Sequence, residues 1–173
     1  EVGYQFNYVA KTMIASEGSV PTAGWTYAKI LGNLARNTKA GDDPRVVAER
    51  FVRDFIESQD AYTVGGVSVD LAAWDLSKIG DLANAFDALA ETLVSCFSEN
   101  DIIYRQMERV ILQVHWRCQS YMYDQNVDLG DFCELLDREI GLMIEEMAFT
   151  DRGILNELQD RCREVLDKLR SVV

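Results

Sequence analysis

Apolar residues recur at intervals of three or four positions through most of the chain, which is the spacing of an amphipathic helix. The clearest stripe consists of Val47, Phe51 and Phe55, and it follows Pro44, a residue that suits the first turn of a helix. Comparable stripes predict further helices at residues 2–9, 25–36, 79–97, 103–121, 129–140 and 154–169. The pattern therefore predicts a chain built mainly from helices.

Two short segments have the pattern of strands instead. Residues 11–16, KTMIAS, are largely apolar and precede turn formers, which predicts a buried strand. Val67, Val69 and Leu71 alternate with polar residues after two glycines, which predicts a second strand. Two strands separated by two helices do not make a stable sheet alone, because buried strand edges need backbone partners. We therefore expect the distal part of a larger α/β domain, whose other strands lie upstream or on another polypeptide.

The charge of the chain narrows the choice of partners. The 173 residues carry a formal charge of −12, from 29 acidic and 17 basic residues spread along the sequence. Such a surface repels phosphate backbones and anionic membranes, so we expect no nucleic-acid partner. No apolar run approaches the roughly 20 residues that span a bilayer. A basic partner is favoured, although an acidic surface that only keeps the protein in solution explains the same charge.

The first ten residues lack the basic start and the apolar stretch of a signal peptide. No capping residue precedes the first helical stripe either. We interpret Glu1 as a cut end, natural or introduced, and expect any targeting signal to lie upstream of it.

The residue types that most often carry catalysis or bind metal are few and widely spaced. His115 is the single histidine, and no Ser or Cys near it in sequence occupies a strand-to-helix elbow, which favours a structural role. We expect buried, reduced cysteines, because they stand among apolar neighbours without the paired spacing of zinc sites: Cys96, Cys118, Cys133 and Cys162. Neither a catalytic site nor a metal site is therefore predicted within this chain.

Clustered acidic residues are further candidates for acid/base catalysis or for metal binding, and each cluster has a simpler structural explanation. The adjacent pairs at 42–43 and 145–146 are predicted to be solvated, because neighbouring side chains on a helix point apart. A string of oxygen donors that would suit calcium consists of Asp124, Asn126, Asp128 and Asp131. This string lacks the glycine and the terminal glutamate of an EF-hand, and helix capping by Asp128 explains it.

The stretch ASEGSVPTAGWTY, residues 15–27, is the strongest candidate for a binding site. A strand that ends in Ser16 and Glu17 places both side chains at the carboxyl edge of a sheet, where ligands bind in open α/β sheets. Glu17 could then hold a cationic group, and Trp25 could form a pocket wall. The alternative is the start of a helix, at which Trp25 packs on the core.

Three stretches together resemble the clostripain family of cysteine peptidases, whose fold is caspase-like. The run I-A-S-E-x-x-V-P-x-x-G-W-x-Y, residues 14–27, is similar to the segment that follows the nucleophile helix of that family. Residues 70–79, DLAAWDLSKI, resemble its second signature, in which a strand leads into a helix through an Asp-Leu-Ser-Lys turn. Residues 127–132, VDLGDF, resemble a later helix start. Order and spacing agree over residues 1–137, whereas the closing helices are only loosely similar.

The resemblance implies the C-terminal portion of a caspase-like α/β/α sandwich, helix-rich and with about two strands in this chain. Residues 1–137 would form the distal part of the peptidase domain, and helices in residues 138–173 would pack on the same domain. The family's catalytic cysteine and histidine lie upstream of these stretches, and no Cys or His of this chain matches their positions.

The same resemblance implies a fragment or processed chain of a cysteine endopeptidase that cleaves after Arg or Lys in peptides or proteins. This chain would supply scaffold and a pocket wall through Ser16, Glu17 and Trp25, while the upstream chain of the same precursor carries the Cys/His dyad. Gly18 stands where the family commonly has a second acid, which weakens the case for an acidic cluster. Calcium as a cofactor, and a secreted or cell-envelope location, are implied by the family alone.

Two other functions remain open. One is a pseudoenzyme that keeps the scaffold without the chemistry, and the other is a helical interaction module that binds basic partners through its acidic surface. A cysteine at a strand end and a histidine after another strand, both in the upstream sequence, would favour the peptidase.

Overall fold

The computed structural model describes residues 2–16, 18, 24–59, 69–120, 126–146 and 152–173. Helices dominate this part of the chain, and two short strands form a sheet. The helix-rich α/β architecture predicted from the sequence is therefore confirmed. The elements in chain order are α1 Val2–Phe6, β1 Thr12–Ala15, α2 Tyr27–Asn37, α3 Pro44–Glu57, β2 Ala72–Asp75, a 3₁₀ turn Leu76–Lys78, α4 Ile79–Glu99, α5 Asp101–Arg117, α6 Leu129–Glu146 and α7 Gly153–Val172.

The two strands pair in antiparallel register, from Thr12 opposite Asp75 to Ala15 opposite Ala72. The strand predicted within residues 11–16 is thus confirmed. One edge of β1 therefore obtains its backbone partners from β2, within this chain. Each strand also has a second edge, to which the described residues add no further strand.

The second strand lies later than the alternation of Val67, Val69 and Leu71 predicts. The ladder begins at Ala72, Leu71 is buried in the core without strand pairing, and Val67 lies outside the described residues. The position of the ladder is set by β1, whose last paired residue is Ala15. Alternation of apolar and polar residues indicates an extended chain. It does not show which of the extended residues lie opposite β1.

The first compact unit contains residues 1–79 and 172–173. Within it α2 packs against α3, and α3 packs against both strands. One core cluster of this unit consists of Ile30 from α2, Phe55 from α3 and Leu71 just before β2. Partly buried apolar residues that pack around this core are Ile14, Trp25, Leu34, Phe51, Val52 and Val69. The stripe predicted for α3 is therefore the face that α3 turns to the sheet and to α2.

Aspartates fix the starts of two elements of this unit. Asp43 accepts a hydrogen bond from the Arg45 backbone N–H at 2.9 Å, and Pro44 occupies the first turn of α3, as predicted. Asp75 accepts hydrogen bonds from the Ser77 backbone N–H at 3.1 Å and from the Ser77 hydroxyl at 2.6 Å. These bonds start the 3₁₀ turn that leads from β2 into α4, as the family resemblance implies for residues 70–79.

The second compact unit, residues 80–171, is built from helices. Its helices α5 and α6 pack against each other, and the stripe predicted for α5 is buried at Ile103, Met107 and Val110. Asn100 caps α5 by accepting hydrogen bonds from two backbone N–H groups of its first turn, at 3.1 and 3.0 Å. The division of the chain into residues 1–137 and 138–173 stays a prediction.

Candidate substrate-binding site

Ser16, Gly18 and Asp70 come together at the end of β1. The Ser16 hydroxyl lies 3.0 Å from Asp70 Oδ1 and 2.7 Å from the Gly18 carbonyl oxygen, so it can donate its proton to either. The Gly18 backbone N–H donates to both carboxylate oxygens of Asp70, at 3.2 and 3.3 Å. The Asp70 carboxylate thus fixes the chain just after the strand, where backbone pairing has ended.

Asp70 is a candidate that reasoning from the sequence missed. It follows Ser16 by 54 positions, and the antiparallel pairing of β2 with β1 brings it back to the strand end. The available signal was the stretch at residues 70–79, which Asp70 begins, but that stretch indicates only a strand-to-helix turn. A partly exposed carboxylate at a strand end can bind a guanidinium or ammonium group through charge-assisted hydrogen bonds.

The three residues predicted for this site have different environments. Ser16 belongs to the cluster with Asp70, and Glu17 lies outside the described residues. Trp25 is partly buried and packs against the core of the first unit, with its ring centroid 5.2 Å from that of Phe51 and 5.7 Å from that of Phe55. These contacts agree with the alternative prediction from the sequence, in which Trp25 packs on the core at the start of a helix. Contact between Trp25 and a substrate stays a prediction.

A cavity of about 660 Å³ is lined by residues of α3 and of both strands. Arg45 Nη2 lies 4.0 Å from Asp75 Oδ2 within it. The hydrogen bonds from Ser77, helped by nearby cations, lower the pKa of Asp75. Charged residues of both signs line the cavity: Lys11, Arg45, Arg53, Asp43, Glu49 and Asp75. Because these charges compensate one another, the cavity does not select a ligand of one charge. Ser16 and Trp25 are not part of its lining.

All four cysteines are buried and free, as predicted. Burial raises the pKa of Cys96 and of Cys118 to about 11, and nearby carboxylates add to this effect. A hydrogen bond with Cys133, together with burial, raises the pKa of Cys162. A nucleophilic cysteine needs the opposite environment, one that stabilises its thiolate.

His115 packs against Trp116 near the C-terminal end of α5, with the two ring centroids 5.4 Å apart. All four cysteines belong to the described residues. Among these residues, no hydrogen bond connects the His115 imidazole to a cysteine thiol. The structure therefore does not assemble a Cys/His pair from the residues that it describes.

The acidic string near residue 128 has structural partners. Asp128 Oδ1 accepts a hydrogen bond from the Asp131 backbone N–H at 2.7 Å, which confirms capping by Asp128 at the start of α6. Asp131 Oδ2 accepts a hydrogen bond from the Gln119 backbone N–H at 2.6 Å. Asp124 lies outside the described residues, and within those described no three Asp, Glu, His or Cys side chains are grouped to hold a metal ion.

Comparison with known proteins gives one match. The sequence model of the clostripain family, Peptidase_C11, matches residues 1–148, which is most of the chain. No curated protein and no solved structure matches. Across the described ranges, no helix has both the length and the apolar character needed to cross a membrane.

Proposed function

The chain belongs to the clostripain family of cysteine peptidases, and we propose that it forms part of an endopeptidase that cleaves after Arg or Lys. In this proposal the chain supplies scaffold and one wall of the substrate pocket within a caspase-like fold. An upstream chain of the same precursor supplies the catalytic cysteine and histidine. The family match over residues 1–148 is the observation that carries the proposal.

The environment of the thiols supports a nucleophile from outside this chain. With a pKa of about 11, only about one Cys96 or Cys118 thiol in ten thousand is ionised at pH 7. The attacking group of a cysteine peptidase is the thiolate, which a neighbouring histidine or a helix N-terminus normally stabilises. Cys96 and Cys118 have the reverse arrangement, because burial and nearby carboxylates both disfavour their thiolates.

The cluster at the end of β1 supports a preference for basic side chains. Asp70 offers a partly exposed carboxylate, and Glu17 follows the neighbouring Ser16 in sequence. A carboxylate that is already held by backbone and hydroxyl donors loses little freedom when it binds a guanidinium group. We assign the binding of the substrate's Arg or Lys side chain to Asp70, with Glu17 as a second carboxylate.

The first ten residues support docking of the upstream chain. The apolar side chains of α1 and of the turn after it face solvent, and Tyr8 and Val9 are 86% and 77% exposed. Contiguous exposed apolar side chains usually mark an interaction surface. We propose that the upstream chain covers this surface and that one of its strands pairs with the second edge of β1.

The experiment that tests this proposal is co-expression of the chain with the upstream part of its precursor. Fluorogenic peptides that end in Arg, Lys or Asp are then compared as substrates. We expect cleavage after Arg and Lys that is lost when the upstream cysteine is replaced, and that persists in Cys96→Ser and Cys118→Ser variants. Loss of activity in either of these two variants, with the fold intact, would place the nucleophile in this chain and overturn the proposal.

The Asp70→Asn variant tests the pocket assignment. Removing the charge of Asp70 is expected to raise KM for the Arg peptide by about tenfold or more, with a smaller change in kcat. Asp87→Asn, on the exposed face of α4, is the matched control. An unchanged KM in Asp70→Asn would show that another carboxylate holds the basic side chain.

A non-catalytic module that binds basic partners is the second candidate, because the net charge of −12 favours such partners. If the co-expressed complex binds Arg-containing peptides but cleaves none of them, this second function replaces the first.

A further inference from the structure

The outward face of α5 carries an unusual set of side chains. Arg105, Arg109, Leu112 and Trp116 follow one another at intervals of four, three and four residues, so they form one stripe along the helix. The buried residues of α5 occupy the opposite side: Ile103, Met107, Val110 and Val114. We refer to Arg105, Arg109, Leu112 and Trp116 as the α5 outer stripe.

The apolar half of the α5 outer stripe is open to solvent. Trp116 is 72% exposed and Leu112 is 54% exposed, one helical turn apart. A tryptophan that is covered by a partner removes a large apolar area from water, and its indole N–H can still find a hydrogen-bond acceptor. Trp116 and Leu112 are therefore suited to anchor a partner by burial.

The basic half of the α5 outer stripe is also available. Arg105 and Arg109 are exposed, and neither forms an ion pair with any carboxylate in the part of the chain that the structure describes. Arg117, at the end of the same helix, does form one, with its Nη1 2.6 Å from Glu139 Oε1. In a protein with a net charge of −12, two adjacent arginines without acidic partners indicate a role for acidic groups from outside.

We propose that the α5 outer stripe binds an acidic amphipathic helix of a partner protein. Arg105 and Arg109 are about 6 Å apart along the helix axis, which is also the rise between two carboxylates four residues apart on the partner helix. Apolar side chains one turn further along the partner would cover Leu112 and Trp116. Arginine and tryptophan are the residue types most enriched among the energetically dominant positions of protein interfaces.

The charges around the α5 outer stripe favour an acidic protein segment over other anions. Glu108 lies at one margin of the stripe, and Asp101 lies one turn before Arg105. These two carboxylates flank the arginines, so they repel the continuous negative charge of a nucleic acid or an anionic membrane. A helix can instead place its two carboxylates at the arginines alone. The proposal does not depend on the peptidase function of the assembled enzyme.

The test uses the full chain and a fluorescein-labelled, alanine-rich helical peptide that carries two glutamates four residues apart and two leucines one turn further on. We expect its fluorescence anisotropy to rise on titration with the chain, and a control peptide with glutamine in place of both glutamates to bind at least about tenfold more weakly. Binding of both peptides alike, or of neither, would overturn the proposal.

Variants of the chain locate the binding surface. The double variant R105Q/R109Q and the single variant W116A are each expected to weaken binding of the acidic peptide by at least about tenfold. The matched controls are R53Q, which removes an exposed arginine of α3, and L142A, which truncates a half-exposed leucine of α6. Circular dichroism establishes that each variant keeps its helix content. Equal losses in the control variants, or none in the stripe variants, would contradict the assignment.

Two further probes separate the proposal from its rivals. The first probe is a vesicle that contains phosphatidylserine, and the second is a single-stranded RNA oligonucleotide. Each is titrated with the chain under the salt conditions used for the acidic peptide. We expect both to bind more weakly than the acidic peptide, and tighter binding of either one, lost in R105Q/R109Q, would overturn the proposal in favour of that polyanion.

Discussion

At the scale of single residues, acidic side chains act in this structure as acceptors for backbone N–H groups. Asp43, Asp75 and Asp128 each accept an N–H from two or three residues further on, where a helix or turn begins. Asp70 accepts the Gly18 N–H across the sheet. Part of the high acid content therefore has a structural use that the net charge alone does not reveal.

The side chain of Asp75 gives a pH-dependent prediction. Because the hydrogen bonds from Ser77 lower its pKa in the folded state, Asp75 stabilises the fold above its ordinary pKa, and this stabilisation is lost as the pH falls through the folded-state pKa. The Asp75→Ala variant should lose about 1 kcal/mol of unfolding free energy at pH 7, as is typical of a lost cap.

Urea unfolding at pH 7, pH 5 and pH 3 measures this effect. The difference between the wild-type chain and Asp75→Ala is expected to be the same at pH 7 and pH 5 and to shrink at pH 3. Asp87→Ala, which removes an exposed carboxylate of α4, serves as the control. A difference that grows towards low pH would contradict the lowered pKa.

At the scale of elements, the first unit depends on close contacts between short pieces of chain. A Cβ atom placed on Gly3 in α1 would lie 3.2 Å from Met13 Cε and 3.3 Å from Leu76 Cδ2. The absence of a side chain at Gly3 thus lets α1 approach β1 and the 3₁₀ turn. The second glycine of interest, Gly80 in the first turn of α4, has no atom within 4 Å of the equivalent position.

These two glycines predict opposite effects of substitution. Gly3→Val should lower the unfolding free energy by about 1–2 kcal/mol, because the added methyl groups meet side chains that are already in contact. Gly80→Ala should raise it by about 0.5–1 kcal/mol, because alanine has less conformational freedom to lose in a helix and no neighbour to clash with. Thermal unfolding monitored by circular dichroism distinguishes them, and a stabilising Gly3→Val would disprove the packing of α1.

The elements also differ in how well the sequence predicts them. The helices at α2 to α7 follow from apolar periodicity, because each stripe is contained within one short segment. The position of β2 does not, because the alternation ends at Leu71, whereas the residues that pair with β1 begin at Ala72. The candidate substrate-binding site is also only partly predictable from the sequence. Ser16 could be found from a local pattern, whereas the contact of Asp70 with Ser16 depends on the pairing of β1 with β2.

At the scale of the whole molecule, a net charge of −12 means that the folded chain repels itself. Several ion pairs of the described residues join two exposed side chains, such as Arg170 with Glu134 at 3.9 Å and Arg163 with Asp160 at 3.4 Å, and pairs of this kind contribute little. Added salt should therefore weaken the repulsion more than it weakens the ion pairs.

The expected result is a rise in the melting temperature of about 2–4 °C, which corresponds to about 1 kcal/mol, between low salt and physiological ionic strength. Circular dichroism at neutral pH measures it, and an equal osmolality of sucrose controls for effects other than screening. A fall in the melting temperature with salt would show that the ion pairs outweigh the repulsion.

The sequence by itself determined the helix-rich composition, the first strand, the start of α3 at Pro44, the cap at Asp128, and the membership of a peptidase family, because each of these depends on residues close together in the chain or on their order. Only the tertiary structure decided which strand pairs with β1, that Asp70 reaches Ser16, and that Trp25 packs on Phe51. These contacts join residues far apart in sequence, and their positions depend on backbone hydrogen bonding and side-chain packing that no local pattern records.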